Sequence, residues 1–298
     1  MTPTSSGPVT LDARDVPLGG VRGLTVHRTL PYRDLPTVGA WCFVDHFGPT
    51  DARMEVLPHP HTGLQTVTWP LAGLIRHRDS LGSDVVLRPG ELNLMTSGAG
   101  VSHSEFSADT TSMHGVQLWV ALPEHRRHGA PDFEHLPDLP AASGAGWEAI
   151  VFVGSFGGVT SPATVHTPMV GAQLVVEEAQ LDLEPTFEHA LLAVDGPVEV
   201  DGVTVQHRDL RYLPVGAEQV RVAAGGGRVL LIGGEPFDED LVMWWNFIGR
   251  SHDEIEAARA DWESAPTAGR FGHVEGHDDR FIPAPPLPGV RLTPRRRR

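Results

Sequence analysis

Only one cysteine, Cys42, stands in the 298 residues. That excludes an intramolecular disulfide and any thiolate cluster, and it suits a reducing compartment, with the cytosol as the expected location. No stretch approaches the roughly 20 consecutive apolar residues of a membrane span. Neither end shows a charged segment leading into an apolar run, so a soluble, non-exported chain without a membrane partner is expected. Basic side chains are also scarce, 23 against 38 acidic ones, and the net charge of −15 repels phosphate backbones. Direct nucleic-acid binding is therefore not expected. The exception is the run Arg295 to Arg298, which reads as a solvated, disordered tail.

Turn formers are abundant, with 33 glycines and 26 prolines spread along the whole length, and 298 residues exceed what one compact core usually needs. From Val21 to about Leu122, short β-rich runs alternate with turn punctuation, as in GLQTVTWPLAG, VVLRPGELNLMTSGAG and HGVQLWVALP. The proline-, glycine- and alanine-rich segment from Pro123 to Gly146 reads as a connection, and a second β-rich block follows from Trp147 to about Gly234. The expected organisation is all-β, two antiparallel barrels over residues 1–135 and 136–235, then an extension over 236–298. In that extension Ser251 and Glu254 spell a capping box that opens a helix near 252–264, and the tail from Pro266 onward is expected to be extended over the surface or mobile.

The chemistry concentrates in two short spellings. His59 and His61, in PHPH, stand at i and i+2 and share a face of an extended segment. Alone this means little, because 16 histidines in 298 residues give roughly one such pair by chance. His103 and Glu105, in SHSE, repeat the geometry about forty residues on, across two predicted hairpins. In a small barrel, neighbouring strands lie about 5 Å apart and alternate residues point inward, so two such pairs can meet at one ion. Three imidazoles and a carboxylate suit a divalent first-row metal, with iron, manganese, nickel, copper and zinc all open, and an ion preferring six ligands keeps positions free for substrate or dioxygen. A purely structural metal remains the alternative.

The motifs HPHTGLQTVTWPLAG, HRDSLGS, RPGELNLMTSGAGVSHSE and HGVQLWVALP, in that order and spacing, resemble the pirin family of bicupins. The C-terminal GEPFDEDLVMWWNFIGRSHDEI is similar to the corresponding segment of bacterial pirin-like proteins, so most of the chain is covered. The resemblance implies two cupin barrels and a non-haem iron, Fe(II), in the first, with His59, His61, His103 and Glu105 as ligands. No metal is expected in the second barrel, where His189 stands alone. Gln65 departs from the family pattern, occupying a position where many relatives carry glutamate, which leaves Glu105 as the catalytic base. The bland assignments are hairpin chemistry for His77 and Asp79, either cavity lining or barrel packing for His114, and burial against the first barrel for Trp244 and Trp245.

The implied activity is that of a quercetin 2,3-dioxygenase, which opens a flavonol ring with O2 and releases carbon monoxide. The partners are then a small flavonol-like aromatic and O2. A redox-responsive iron protein that selects a protein partner is the alternative from a different class.

Overall fold

The computed structural model describes residues 7–18 and 24–295; Val21 and Arg296 to Arg298 lie outside them. Strand β1 (Val9–Leu11) belongs to the second barrel, and only then do β2 (Arg14–Leu18), β3 (Leu24–Leu30) and β4 (Trp41–Thr50) enter the first. The first barrel continues through β5 (Glu55–His61), β6 (Leu64–Ala72), β7 (Ile75–Asp79), β8 (Asp84–Leu87), β9 (Leu92–Thr96), β10 (Val101–Ser107), β11 (Met113–Ala121) and β12 (Asp132–Leu136). Two antiparallel sheets form it, in the orders β12-β9-β6-β11-β4-β3-β2 and β5-β10-β7-β8.

The second barrel takes β13 (Ala141–Gly144), β14 (Trp147–Phe156), β15 (Val159–Thr160), β16 (Met169–Asp182) and β17 (Glu188–Ala193). It closes with β18 (Val198–Val200), β19 (Val203–Val205), β20 (Leu210–Leu213) and the long β21 (Gln219–Gly234). The expected all-β bicupin is what the chain forms. The expected boundary at 135 needs correcting at its start, because Val9, Thr10 and Leu11 pair with Tyr212, Arg211 and Leu210. A three-residue strand that completes a remote sheet edge carries no periodicity of its own.

Alternation explains how β6 serves two neighbours. Val67, Trp69 and Leu71 face the second barrel and join Trp41, Phe152, Leu192 and Ile232 in one buried cluster, while Thr68 faces the interior of the first. The second barrel instead fills its own interior with Val151, Leu174, Val176, Leu191, Val222 and Leu231.

The extension forms a hairpin, β22 (Val242–Trp244) and β23 (Phe247–Gly249), and then helix α1 (His252–Ser264). Ser251 caps the helix by accepting from the Glu254 N–H, but the Glu254 carboxylate reaches past Ser251 to the Arg250 N–H and to Arg127. Ile255, Ala258 and Trp262, spaced three and four apart, form the buried face. The tail beyond is laid down in contact: Ile282 N–H donates to Pro58 O, Trp262 Nε1 to Ile282 O, and Arg295 N–H to Leu241 O. The reading of a disordered basic tail is thus corrected as far as Arg295.

Candidate metal centre

Strand β10 explains the SHSE spelling residue by residue. His103 and Glu105 face inward, whereas Ser102 and Ser104 face outward and tie down the extension, Ser102 Oγ donating to Phe271 O and Ser104 Oγ lying 2.8 Å from His277 Nε2. Opposite runs β5, with His103 paired to His59 and Val101 to His61. Pro58 and Pro60 cannot donate to a ladder, which suits β5 to the sheet edge and accompanies the register shift between His103 and Glu105. Gly63 follows at φ +71°, and a Cβ there would lie 2.2 Å from Ile248 O. Only glycine lets the β22–β23 hairpin close against the end of β5, where Ile248 N–H donates to Thr62 O.

Three imidazoles converge: His59, His61 and His103 each offer a ring nitrogen within 4.8 Å of the others. His61 Nε2 and His103 Nε2 lie 3.1 Å apart, close to the separation of about 3 Å that two nitrogens hold on one ion at bond lengths of about 2.0–2.1 Å. His59 Nδ1 donates to Leu57 O at 2.9 Å, so its Nε2 carries the free lone pair. Burial pushes His59 down to about 4 and His61 and His103 well below the ordinary histidine range, which keeps all three neutral as ligands must be. Glu105 faces the same cavity and comes within 4.8 Å of His103 and His77. Burial raises its pKa, partly offset by the nearby His77 and by the Thr68 hydroxyl, which donates to Oε1 at 2.7 Å. The imidazole triad fits a divalent transition metal, while Glu105 groups by distance with His103 and His77 and not with His59 and His61.

His77 does more than shape a hairpin. Its Nδ1 lies 3.4 Å from His103 Nδ1 and its Nε2 lies 3.2 Å from Asp79 Oδ2. If Asp79 accepts the Nε2 proton, His77 Nδ1 is left as an acceptor for His103 Nδ1–H, and the His103 Nε2 lone pair points at the other two imidazoles. Burial pushes the Asp79 carboxyl up, but hydrogen bonds from His77 and Ser83 outweigh it and hold the group below its usual range. The turn reading was half of the truth: Asp79 Oδ1 accepts from the Leu81 and Ser83 N–H groups while Oδ2 holds His77. An H-x-D pair on β7 was the available signal.

Above the imidazoles opens a cavity of about 370 Å³, walled by Phe43, Phe47, Val56, Trp119 and Gln117 of the barrel and by Met243 to Asn246 of the extension. Trp244 and Trp245 are half-buried cavity walls, and Ile282 and Arg295 also line the space, so residues far along the sequence complete the site. His114, by contrast, points the other way: it adjoins a register irregularity, and its Nε2 lies 2.7 Å from His46 Nε2. Gln65 also faces away, its amide donating to Thr96 Oγ1 and Thr164 O. His189 sits buried beside Phe187, remote from the imidazole triad.

A two-barrel cupin with buried histidines under one apolar cavity defines the class of protein. Two family models match the chain, Pirin over residues 23–120 and the Pirin C-terminal cupin domain over residues 175–272. A Pseudomonas aeruginosa protein provisionally assigned as a quercetin 2,3-dioxygenase is 42% identical over 285 residues, 93% of this chain and 89% of the relative. A pirin-like protein of Caulobacter vibrioides is 35% identical, covering 92% of this chain and 98% of its own. The crystal structure of quercetin 2,3-dioxygenase from Acinetobacter baumannii superposes with a TM-score of 0.90 at 40% identity, over 96% of this chain and 98% of the other. This chain belongs to the pirin family. No helix among the described residues is long and apolar enough to cross a membrane.

Proposed function

We propose that this chain is a metal-dependent dioxygenase of the quercetin 2,3-dioxygenase type, with a divalent ion, iron in our reading, held by His59, His61, His103 and Glu105. The observation that carries the proposal is the neutral imidazole triad at the base of a largely apolar cavity of about 370 Å³, within the range of small-molecule sites. A bound ion with open positions supplies coordination of adjacent substrate oxygens and activation of dioxygen.

The protein supplies the rest. Glu105 accepts the proton of the substrate hydroxyl, and its raised pKa brings it nearer the working pH of a general base. Thr68 fixes one carboxylate oxygen, which sets the direction of the other. Trp119 and Phe43, stacked on each other at 3.9 Å, give the cavity an aromatic side, and Trp244 and Trp245 complete its wall. Coverage by the extension favours this reading over partner selection by oxidation state, which needs the ion's charge to be felt at an open surface. Cys42 is buried with its thiol pKa pushed up, inert, and consistent with the cytosol as the proposed compartment.

Purified, iron-loaded protein should consume quercetin in air with release of carbon monoxide, and His61→Ala and Glu105→Ala should abolish this. Turnover no faster than that of free iron contradicts the proposal.

A further inference from the structure

Arginines stand on the cavity wall of an acidic molecule. The chain carries −15 overall and contains no lysine, so each of its 23 fixed cationic side chains is an arginine. Two of these, Arg28 of β3 and Arg295 of the tail, line the cavity, and a third, Arg14 of β2, lies behind it with its guanidinium on the carbonyls of Arg28 and Pro31. The carboxylates of the lining are Asp45 and Glu105, and Glu105 sits deep, against Thr68 and the histidines. Asp45 is 3% exposed and takes Nε and Nη2 of Arg28, both at 2.7 Å. That bidentate pair fixes the guanidinium plane and leaves Nη1 free of Asp45, on a side chain that is 25% exposed and lines the cavity. Arg295 has no such partner among the described residues; the charge nearest to it in effect is Arg14, another cation.

The Arg28 guanidinium is also tied to the aromatic wall. Its Cζ lies 4.3 Å from the Phe43 ring centre, Phe43 stacks on Trp119 at 3.9 Å, and Trp119 meets His61 edge-on at 5.2 Å. A run of contacts thus links Arg28 through Phe43 and Trp119 to His61. Positive charge on the wall of a cleft in a strongly acidic protein focuses anions into it, and Arg28 Nη1, which Asp45 does not take, is a donor for a carboxylate oxygen.

We infer that the substrate of this site is an anionic aromatic, a hydroxylated aromatic carboxylate whose carboxylate meets Arg28 and Arg295 while its ring occupies the cavity beside Trp119. The far end, where adjacent ring hydroxyls face the histidines, rests on the dioxygenase reading above; recognition of the carboxylate does not. Arg28 and Arg295 are therefore recognition residues, and the neutral flavonol is a stand-in that lacks one of the groups the cavity reads.

Calorimetric titration of the full chain loaded with zinc, which supports no redox turnover, compares 3,4-dihydroxybenzoate with 3,4-dihydroxybenzamide, identical but for the charge. The carboxylate should bind about tenfold tighter at low salt, as one charge-assisted contact implies, and the preference should shrink in 0.5 M salt. Arg295→Gln, which breaks no ion pair among the described residues, should lower it at least threefold. The triple variant Arg28→Gln, Asp45→Asn, Arg295→Gln, which leaves no buried charge unpaired, should abolish it, with an unchanged melting curve as the control for folding. A preference below threefold in the parent protein, or one that survives in the triple variant, overturns the inference. Quercetin turnover without carboxylate preference defeats this inference alone, and carboxylate preference without dioxygen uptake defeats the dioxygenase reading alone.

Discussion

The two barrels share a fold and differ in what fills them. The second packs its interior with branched aliphatic side chains, and its β17 carries the lone His189 next to Glu188, whose carboxylate accepts from the Gly39 N–H of the first barrel and from the Tyr212 hydroxyl. Its polar groups there serve the junction between barrels. The first barrel gives up aliphatic packing along β5, β7 and β10, where His59, His61, His77, Asp79, His103 and Glu105 stand on inward or buried positions. Burying so many polar groups costs stability unless each finds a partner, and the hydrogen-bonded chain from Asp79 through His77 to His103 shows how that cost is met. The scaffold alone therefore confers no chemistry; the occupants of three strands do.

The largest effect expected from breaking this contrast is on metal content. His103→Ala should reduce bound metal to background by elemental analysis, while His189→Ala, the corresponding truncation in the other barrel, should leave it unchanged. Equal loss in both would mean that the barrels do not differ as described. Next in size, Leu174→Ala, in the core of the second barrel, should lower unfolding stability by about 2–5 kcal/mol in urea titrations without changing the metal-to-protein ratio. His77→Ala should weaken metal affinity about 10- to 100-fold, the usual cost of losing a partner that orients a ligand, yet still bind at saturating metal. An affinity equal to that of the parent would return His77 to a hairpin role.

A pH effect is shared by both barrels. His46 is held down to about 2, and His114 and His189 to about 4, in each case chiefly by burial. Because these groups bind protons more readily when unfolded, stability is fully present above the ordinary histidine pKa of about 6.5 and declines as pH falls below it toward the folded values. The metal-free protein should unfold at lower urea concentration at pH 5 than at pH 7. An unchanged midpoint would mean that these side chains are solvated.

The legible part of the site was the part governed by period two. His59 and His61, and His103 and Glu105, are each two residues apart on strands, so the sequence pattern already placed each pair on one face. Asp79 was harder, because its place in D-S-L-G marks a turn and one oxygen does make that turn. His114 was ambiguous because a strand irregularity beside it breaks the alternation that would have assigned its face. Trp244, Trp245, Ile282 and Arg295 carry no local signal of cavity lining at all. They reach the site only because glycine at position 63 admits the hairpin and the serines of β10 anchor the extension.

The most direct test of the account is anomalous diffraction at the absorption edge of the loaded metal, recorded from crystals of the metal-bound protein. One peak is expected per chain, in the first barrel and within about 2.0–2.2 Å of nitrogens from His59, His61 and His103 and of a Glu105 oxygen. A peak beside His189, or a first-barrel peak that lacks those imidazoles, would contradict it.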